Sequence, residues 1–90
     1  MIRSYKILVK GRVQGVNYRN NAQAAAHKNG LTGFVMNTHD GDVFINAEGQ
    51  EEDLQKFIEW CNTGPRLAEV TEVNAEEQEV QGYETFEIRR

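Results

Sequence analysis

Cysteine is nearly absent from this chain, since Cys61 is the only one in 90 residues. A single cysteine excludes an intrachain disulfide and a metal site built from several cysteines. It fits a protein of the reducing cytoplasm, where we expect this chain to work. Long apolar runs are absent too. The longest, such as those at residues 7–9 and 24–26, have three residues, against the roughly 20 that a bilayer-spanning helix needs, so the sequence predicts no membrane span.

Acidic residues are missing from the first 39 positions, where all six charged side chains are basic. From Asp40 onward, 14 acids face four basic residues, which gives that part a balance of −10 (4 minus 14). This asymmetry predicts a local positive field for a small anion on an otherwise acidic body. The alternative interpretation is a basic sheet edge that has no ligand. In either case the acidic part disfavours long polyanions such as nucleic acids.

Residue patterns predict five strands and two helices. Apolar and β-branched runs predict strands at residues 5–10, 31–37, 42–48, 69–75 and 85–89. Helical spacing of apolar residues predicts helices at residues 18–29 and 51–62, and residues 76–82 are predicted to be a polar connection. Asp40 and Gly41 predict a hairpin turn. The order indicates an α+β, ferredoxin-like split βαβ sandwich, in which two helices cover one face of a mixed, mostly antiparallel sheet. We expect residues 1–90 to form a single domain.

Each predicted helix has one face of small or apolar side chains, which we expect to pack on the sheet. These faces consist of Ala22, Ala25 and Ala26 in the first helix and of Leu54, Phe57, Ile58 and Cys61 in the second. Cys61 is therefore predicted to be a core residue rather than a nucleophile. His27 and His39 are predicted to be solvated, and they belong to no plausible set of metal ligands.

The segment between the first strand and the first helix has the features of an anion-binding loop. Gly11 and Gly15 allow successive main-chain N–H groups to turn inward, and the helix start adds free N–H groups and a partial positive charge. Arg19 falls in the first helical turn, where its guanidinium can contact two phosphate oxygens. A Walker P-loop is excluded because no Gly-Lys-Ser/Thr follows. Spacing alone leaves a plain turn as the alternative.

Two longer motifs carry a family resemblance. Residues 11–19, GRVQGVNYR, closely resemble the signature of the acylphosphatase family. Residues 30–43, GLTGFVMNTHDGDV, resemble the second signature of that family at the expected distance. Weaker similarities follow at Gly49, at residues 64–70 and at residues 86–89, so the resemblance covers essentially the whole chain.

This resemblance implies an acylphosphatase that hydrolyses acyl phosphates to carboxylate and inorganic phosphate, with no metal and no cofactor. It implies two catalytic residues, Arg19, which holds the phosphate, and Asn37, which orients the attacking water. The implied phosphate-binding loop consists of Gly15, Val16, Asn17, Tyr18 and Arg19.

The same resemblance implies a small-molecule acyl phosphate as the substrate and inorganic phosphate as product and inhibitor. We expect no nucleic-acid or membrane partner, and we expect a monomer. Two positions depart from the family pattern. Met36 stands where the family often has a basic residue, and Asn17 stands where a small residue is common. Neither departure touches the two catalytic positions, but both bear on the affinity for substrate.

Two functions from other classes fit parts of the sequence. The predicted fold also occurs in RNA-recognition modules, and residues 33–35 are similar to part of their aromatic motif. That motif belongs to the third strand, however, and Asn37 replaces its final aromatic residue. The other alternative is an anion-binding or regulatory domain that keeps the loop but has no turnover. Such a domain would bind phosphate without hydrolysing acyl phosphates.

Overall fold

A five-stranded sheet with both helices on one face forms this protein, and the computed structural model describes residues 1–90. The elements are β1 (Ile2–Arg12), α1 (Tyr18–Lys28), β2 (Thr32–Asn37), β3 (Val43–Gln50), α2 (Glu51–Thr63), β4 (Glu69–Gln78) and β5 (Phe86–Arg89). The strand order is β4-β1-β3-β2-β5. Only β2 and β5 pair in parallel. The predicted ferredoxin-like arrangement is therefore confirmed. Neither helix has the length and apolar composition that crossing a membrane requires.

Three strands, β1, β3 and β4, end later than the sequence pattern predicts, whereas β2 and β5 each begin one residue later than predicted. Strand β1 begins at Ile2 and ends at Arg12, because it lies inside the sheet and pairs with β3 on one side and β4 on the other. Strand β4 continues to Gln78, so the predicted polar connection at residues 76–82 is wrong in its first part. As an exposed edge strand, β4 carries polar side chains, and hydrophobic alternation does not mark its end.

The predicted strand at residues 42–48 stops before Gly49, but in the structure Gly49 lies within β3, opposite Arg3. A Cβ at this position would come within 2.4 Å of the Leu31 side chain. A larger residue here would require Leu31 to shift, so packing rather than a turn favours glycine at this position. Strand β3 then leads without a connecting loop into α2 at Glu51.

The hydrophobic core lies between the sheet and the two helices. Its sheet face consists of Ile7, Val9, Val35, Val43, Ile45, Ala47 and Phe86. Helix α1 packs on this face through alanines, since Ala22 and Ala26 are fully buried. Cys61 of α2 is also fully buried, as predicted, and burial raises the pKa of its thiol to about 12. At neutral pH it is therefore a protonated, apolar core residue.

Residues 79–85, which we call the crossover segment, lie against the sheet face opposite the helices and join the edge strands β4 and β5. Glu48 holds this segment. This residue is 3% exposed. Its carboxylate accepts hydrogen bonds from the main-chain N–H groups of Gln81, of Gly82 at 3.0 Å and of Tyr83 at 3.3 Å. Burial would raise the pKa of this carboxyl. The three N–H groups and the Ser4 hydroxyl outweigh that effect and hold the pKa below its ordinary value.

We predict that Glu48→Gln lowers the free energy of unfolding at pH 7, because the amide offers one acceptor oxygen where the carboxylate offers two. Since folding lowers the pKa of Glu48, its charged form adds stability above the ordinary pKa of 4.5. That stability is lost as the pH falls through the lower folded value. The difference between wild type and Glu48→Gln, measured by urea unfolding, should therefore shrink below that pH.

The control for this measurement is Glu84→Gln in the same segment, because Glu84 is exposed. It should change stability little at any pH. A deficit of Glu48→Gln that stays the same from pH 7 to pH 3 would show that the carboxylate charge does not stabilise the crossover segment.

Candidate active site

The loop between β1 and α1 presents a row of free main-chain donors. Gly15 (φ 73°) and Asn17 (φ 64°) are both left-handed, whereas the intervening Val16 is not. None of the N–H groups of residues 15–20 donates to a protein acceptor. No side chain caps the start of α1, and its first turn contains no acid. Such a row of N–H groups at a helix start is suited to binding an anion.

These donors adjoin a cavity of about 390 Å³. Its walls consist of Val13, Gly15, Asn17, Tyr18, Arg19, Asn20, Asn37, Ile88 and Arg90. The structure thus brings Arg19 and Asn37 together with the loop, although they are separated in sequence. Val16 is the exception among the predicted loop residues, because it lines a second depression beside Pro65 and Leu67 instead. The exposed His27 and His39 lie outside the cavity.

Arg19 reaches the cavity from the first turn of α1. Its guanidinium donates a hydrogen bond of 3.4 Å to the main-chain carbonyl of Arg89, at the end of β5. It forms no ion pair with any acid of the protein. Because a guanidinium has five N–H donors, most of them are left for another partner.

Asn37 is the last residue of β2, and its side-chain oxygen Oδ1 is buried without a hydrogen-bond partner. No other buried side-chain nitrogen or oxygen of the protein lacks a hydrogen-bond partner. An unpaired buried acceptor costs roughly 1–3 kcal/mol. Its position in the cavity wall suits it to accept a hydrogen bond from a molecule inside the cavity.

Gln14 joins this loop to the turn between β2 and β3. Its Nε2 donates to the carbonyl of Thr38 at 2.9 Å and to that of Asp42 at 2.7 Å. The Thr38 hydroxyl also accepts the N–H of Asp42 at 3.0 Å. Since Thr38 directly follows Asn37, this contact fixes the distance between Asn37 and the loop. The sequence motif contains Gln14 but does not indicate this contact.

Tyr18 has two separate roles in the structure. Its main-chain N–H belongs to the free row, but its side chain is 1% exposed and its hydroxyl donates to the carbonyl of Cys61 at 2.9 Å. The start of α1 is thereby attached to α2. Ile88 and Arg90, which the sequence analysis did not select, also reach the cavity because β5 ends beside it.

Comparison with known proteins decides the family. The acylphosphatase family model matches residues 5–88. The chain belongs to the acylphosphatase family. The acylphosphatase of Thermotoga petrophila is 44% identical over 88 residues, 98% of each chain. The crystal structure of acylphosphatase from Bacillus subtilis superposes with a TM-score of 0.95 at 41% identity over the full length of both chains. That of an acylphosphatase from Coxiella burnetii gives 0.95 at 36% identity, covering 98% of this chain and 93% of that one.

The match to the family model includes Gln14, Arg19 and Asn37, and it ends two residues before Arg90. Most of the cavity thus lies within the part that the family shares. The protein contains no cluster of three or more His, Cys, Asp or Glu side chains with the geometry of a metal site.

We predict that Gln14→Leu loosens the acylphosphatase loop. Loss of two hydrogen bonds should lower the free energy of unfolding by about 1–3 kcal/mol. Hydrogen exchange of the amides of residues 13–17 should accelerate more than that of the β1 amides. Gln23→Leu is the matched control, because Gln23 makes one bond of the same kind, to the carbonyl of Phe86 at 3.0 Å. It should destabilise the protein without a selective effect on the loop, and equal loop exchange in both variants would contradict the prediction.

Proposed function

We propose that this protein hydrolyses the carboxyl–phosphate bond of acyl phosphates to a carboxylate and inorganic phosphate. The observation that carries the proposal is the cavity in which unpaired N–H groups, the Arg19 guanidinium and the unpaired Oδ1 of Asn37 meet. Membership of the acylphosphatase family supports the same reaction.

The phosphate group is held at the loop. The N–H groups of residues 15–19 contact its oxygens, and Arg19 adds a two-pronged, charge-assisted contact. Phosphoryl transfer passes through a loose transition state, which needs positioning and charge stabilisation more than covalent help. This arrangement supplies both, because the donors are already fixed by the loop and by α1.

Asn37 positions the nucleophile. A water molecule donates one hydrogen to Oδ1 of Asn37, which directs a lone pair of the water oxygen toward phosphorus. The new oxygen–phosphorus bond forms as the bond to the acyl oxygen breaks, and the carboxylate leaves with the electron pair. One hydrogen of the water passes to a phosphoryl oxygen and the other stays on the attacking oxygen, so the second product is dihydrogen phosphate. The conjugate acid of the carboxylate has a pKa of about 4, so the carboxylate departs without a general acid. The cavity wall accordingly needs no His, Cys, Asp or Glu, and it contains none.

The open face of the sheet offers little support for the RNA-binding alternative. Phe34, the aromatic residue of the similar motif, is 6% exposed. The Tyr83 ring lies 5.8 Å from it edge-on, and the Arg89 guanidinium lies 4.0 Å above it. Stacking with a base requires a free aromatic face, and this one is covered.

The direct test of the proposed function is hydrolysis of benzoyl phosphate by the purified protein. Activity should persist in excess EDTA, because the proposed mechanism uses no metal ion. Inorganic phosphate should inhibit competitively because it fits the same loop. Alkyl phosphate esters should be poor substrates, because their alkoxide leaving groups need a proton. Phosphate binding without any hydrolysis would instead identify the anion-binding domain that has no turnover.

We predict that Arg19→Lys weakens phosphate binding and turnover together. Lysine keeps the charge but loses the two-pronged contact. The inhibition constant of inorganic phosphate should rise, and kcat/KM should fall, by about 10- to 100-fold, the scale of one hydrogen bond to a charged group. The unfolding midpoint should change little. Arg12→Lys, outside the cavity, is the control. A fully active Arg19→Lys enzyme would show that the guanidinium has another role.

We predict that Asn37→Ala separates chemistry from binding. If the amide meets the water and not the phosphate, kcat should fall by roughly 10²–10³-fold, as when one well-placed polar group is lost from a transition state. The inhibition constant of inorganic phosphate should stay within a few-fold of wild type. Asn74→Ala, on the exposed edge strand β4, controls for the substitution itself.

Unfolding midpoints must accompany this measurement, because Asn37 ends β2 and a structural loss can imitate a catalytic one. Near-normal turnover in Asn37→Ala, or a loss of phosphate affinity as large as in Arg19→Lys, would contradict the water-positioning role.

A further inference from the structure

The cavity is larger than a phosphate group requires. Its volume of about 390 Å³ falls within the range of roughly 300–1,000 Å³ found for small-molecule sites. The loop and Arg19 account for one part of its wall. Another part comes from the end of β5, where Ile88 and Arg90 line it. The cavity wall therefore contains a second arginine, in the part that is left for the acyl group of a substrate.

Arg90, the residue that directly follows β5, lines the cavity together with Ile88. Phe86 and Ile88 pack against the core, whereas Arg89 lies over Phe34 on the opposite face and pairs with Glu87 at 3.9 Å. Successive residues of a strand face opposite sides, which accounts for the separation of Arg89 from Ile88. Unlike Arg89, Arg90 forms no ion pair with an acid. No Asp or Glu side chain lines the cavity.

We propose that Arg90 gives the enzyme a preference for acyl phosphates whose acyl part carries a second anionic group, a carboxylate or a phosphate. This inference rests on the proposed function. With the reacting phosphate at the loop and Arg19, the guanidinium of Arg90 is left for the acyl end. Arg90 is exposed, so the gain is that of a solvent-accessible ion pair, about two- to fivefold in kcat/KM.

The experiment compares 4-carboxybenzoyl phosphate with 4-nitrobenzoyl phosphate. The two substituents have nearly the same shape and differ by one negative charge. The quantity measured is the ratio of kcat/KM for the carboxy substrate to that for the nitro substrate. The two substrates differ in intrinsic reactivity, but that difference is the same for every protein variant. All variants also keep the same main chain. A change in the ratio therefore reports the side chain.

Arg90→Gln should lower this ratio by about two- to fivefold, and Arg90→Lys should retain most of it. Arg89→Gln, the neighbouring arginine on the opposite face, should leave the ratio unchanged. Added salt should lower the ratio in wild type but not in Arg90→Gln, because salt screens an exposed pair. Unfolding midpoints of the three variants would confirm that each is folded.

An unchanged ratio in Arg90→Gln would overturn the inference while leaving the proposed function intact. Equal losses for both substrates, together with a higher inhibition constant for inorganic phosphate, would also overturn it and would assign Arg90 to the reacting phosphate. No hydrolysis of either substrate by the wild type would overturn the proposed function itself, and this inference with it.

Discussion

The main-chain N–H groups of residues 15–20 are held side by side without a protein acceptor, and the rest of the site is arranged around them. A helix start normally satisfies such groups with a side-chain cap or with water. Here the left-handed residues Gly15 and Asn17 set the directions of the loop amides instead, and the Asn17 side chain accepts from Asn20 rather than capping the helix. The donors thus remain available, and the loop conformation has to be maintained by contacts made elsewhere.

Those contacts come from three parts of the chain. Gly11, where the pairing of β1 with β4 shifts register, lies so close to β4 that a Cβ would come within 2.1 Å of the Glu69 carbonyl oxygen. Gln14 ties the middle of the loop to the turn after β2. Tyr18 ties its end to α2. Because each anchor reaches a different element, the loop is fixed relative to the sheet and to both helices, which preorganises the donors for an anion.

The sequence predicted the features that follow a local, repeating residue pattern. The alanine face of α1 and the Leu54, Phe57 and Cys61 face of α2 follow helical spacing, and all but Ala25 and Ile58 of these faces are fully buried. Arg19 and Asn37 were selected because each lies in a contiguous motif. Gln14 and Glu48, by contrast, act on main-chain groups 24 to 35 residues away. Such contacts leave no periodic signal. The length of β4 was missed because its pairing with β1, not its own polar side chains, determines where it ends.

The two helix starts show what the lack of acids in the first 39 residues achieves. Helix α2 begins with Glu51, Glu52 and Asp53, whose charges offset its positive end. Helix α1 has no acid in its first turn, and no acid precedes Asp40. The crossover segment shows the alternative outcome, because its N–H groups are already bound by the carboxylate of Glu48. An acid within reach of the loop would bind its donors in the same way and leave none of them free. The absence of acids before Asp40 therefore keeps the loop available for an anion from outside, although the whole protein carries a net charge of −4.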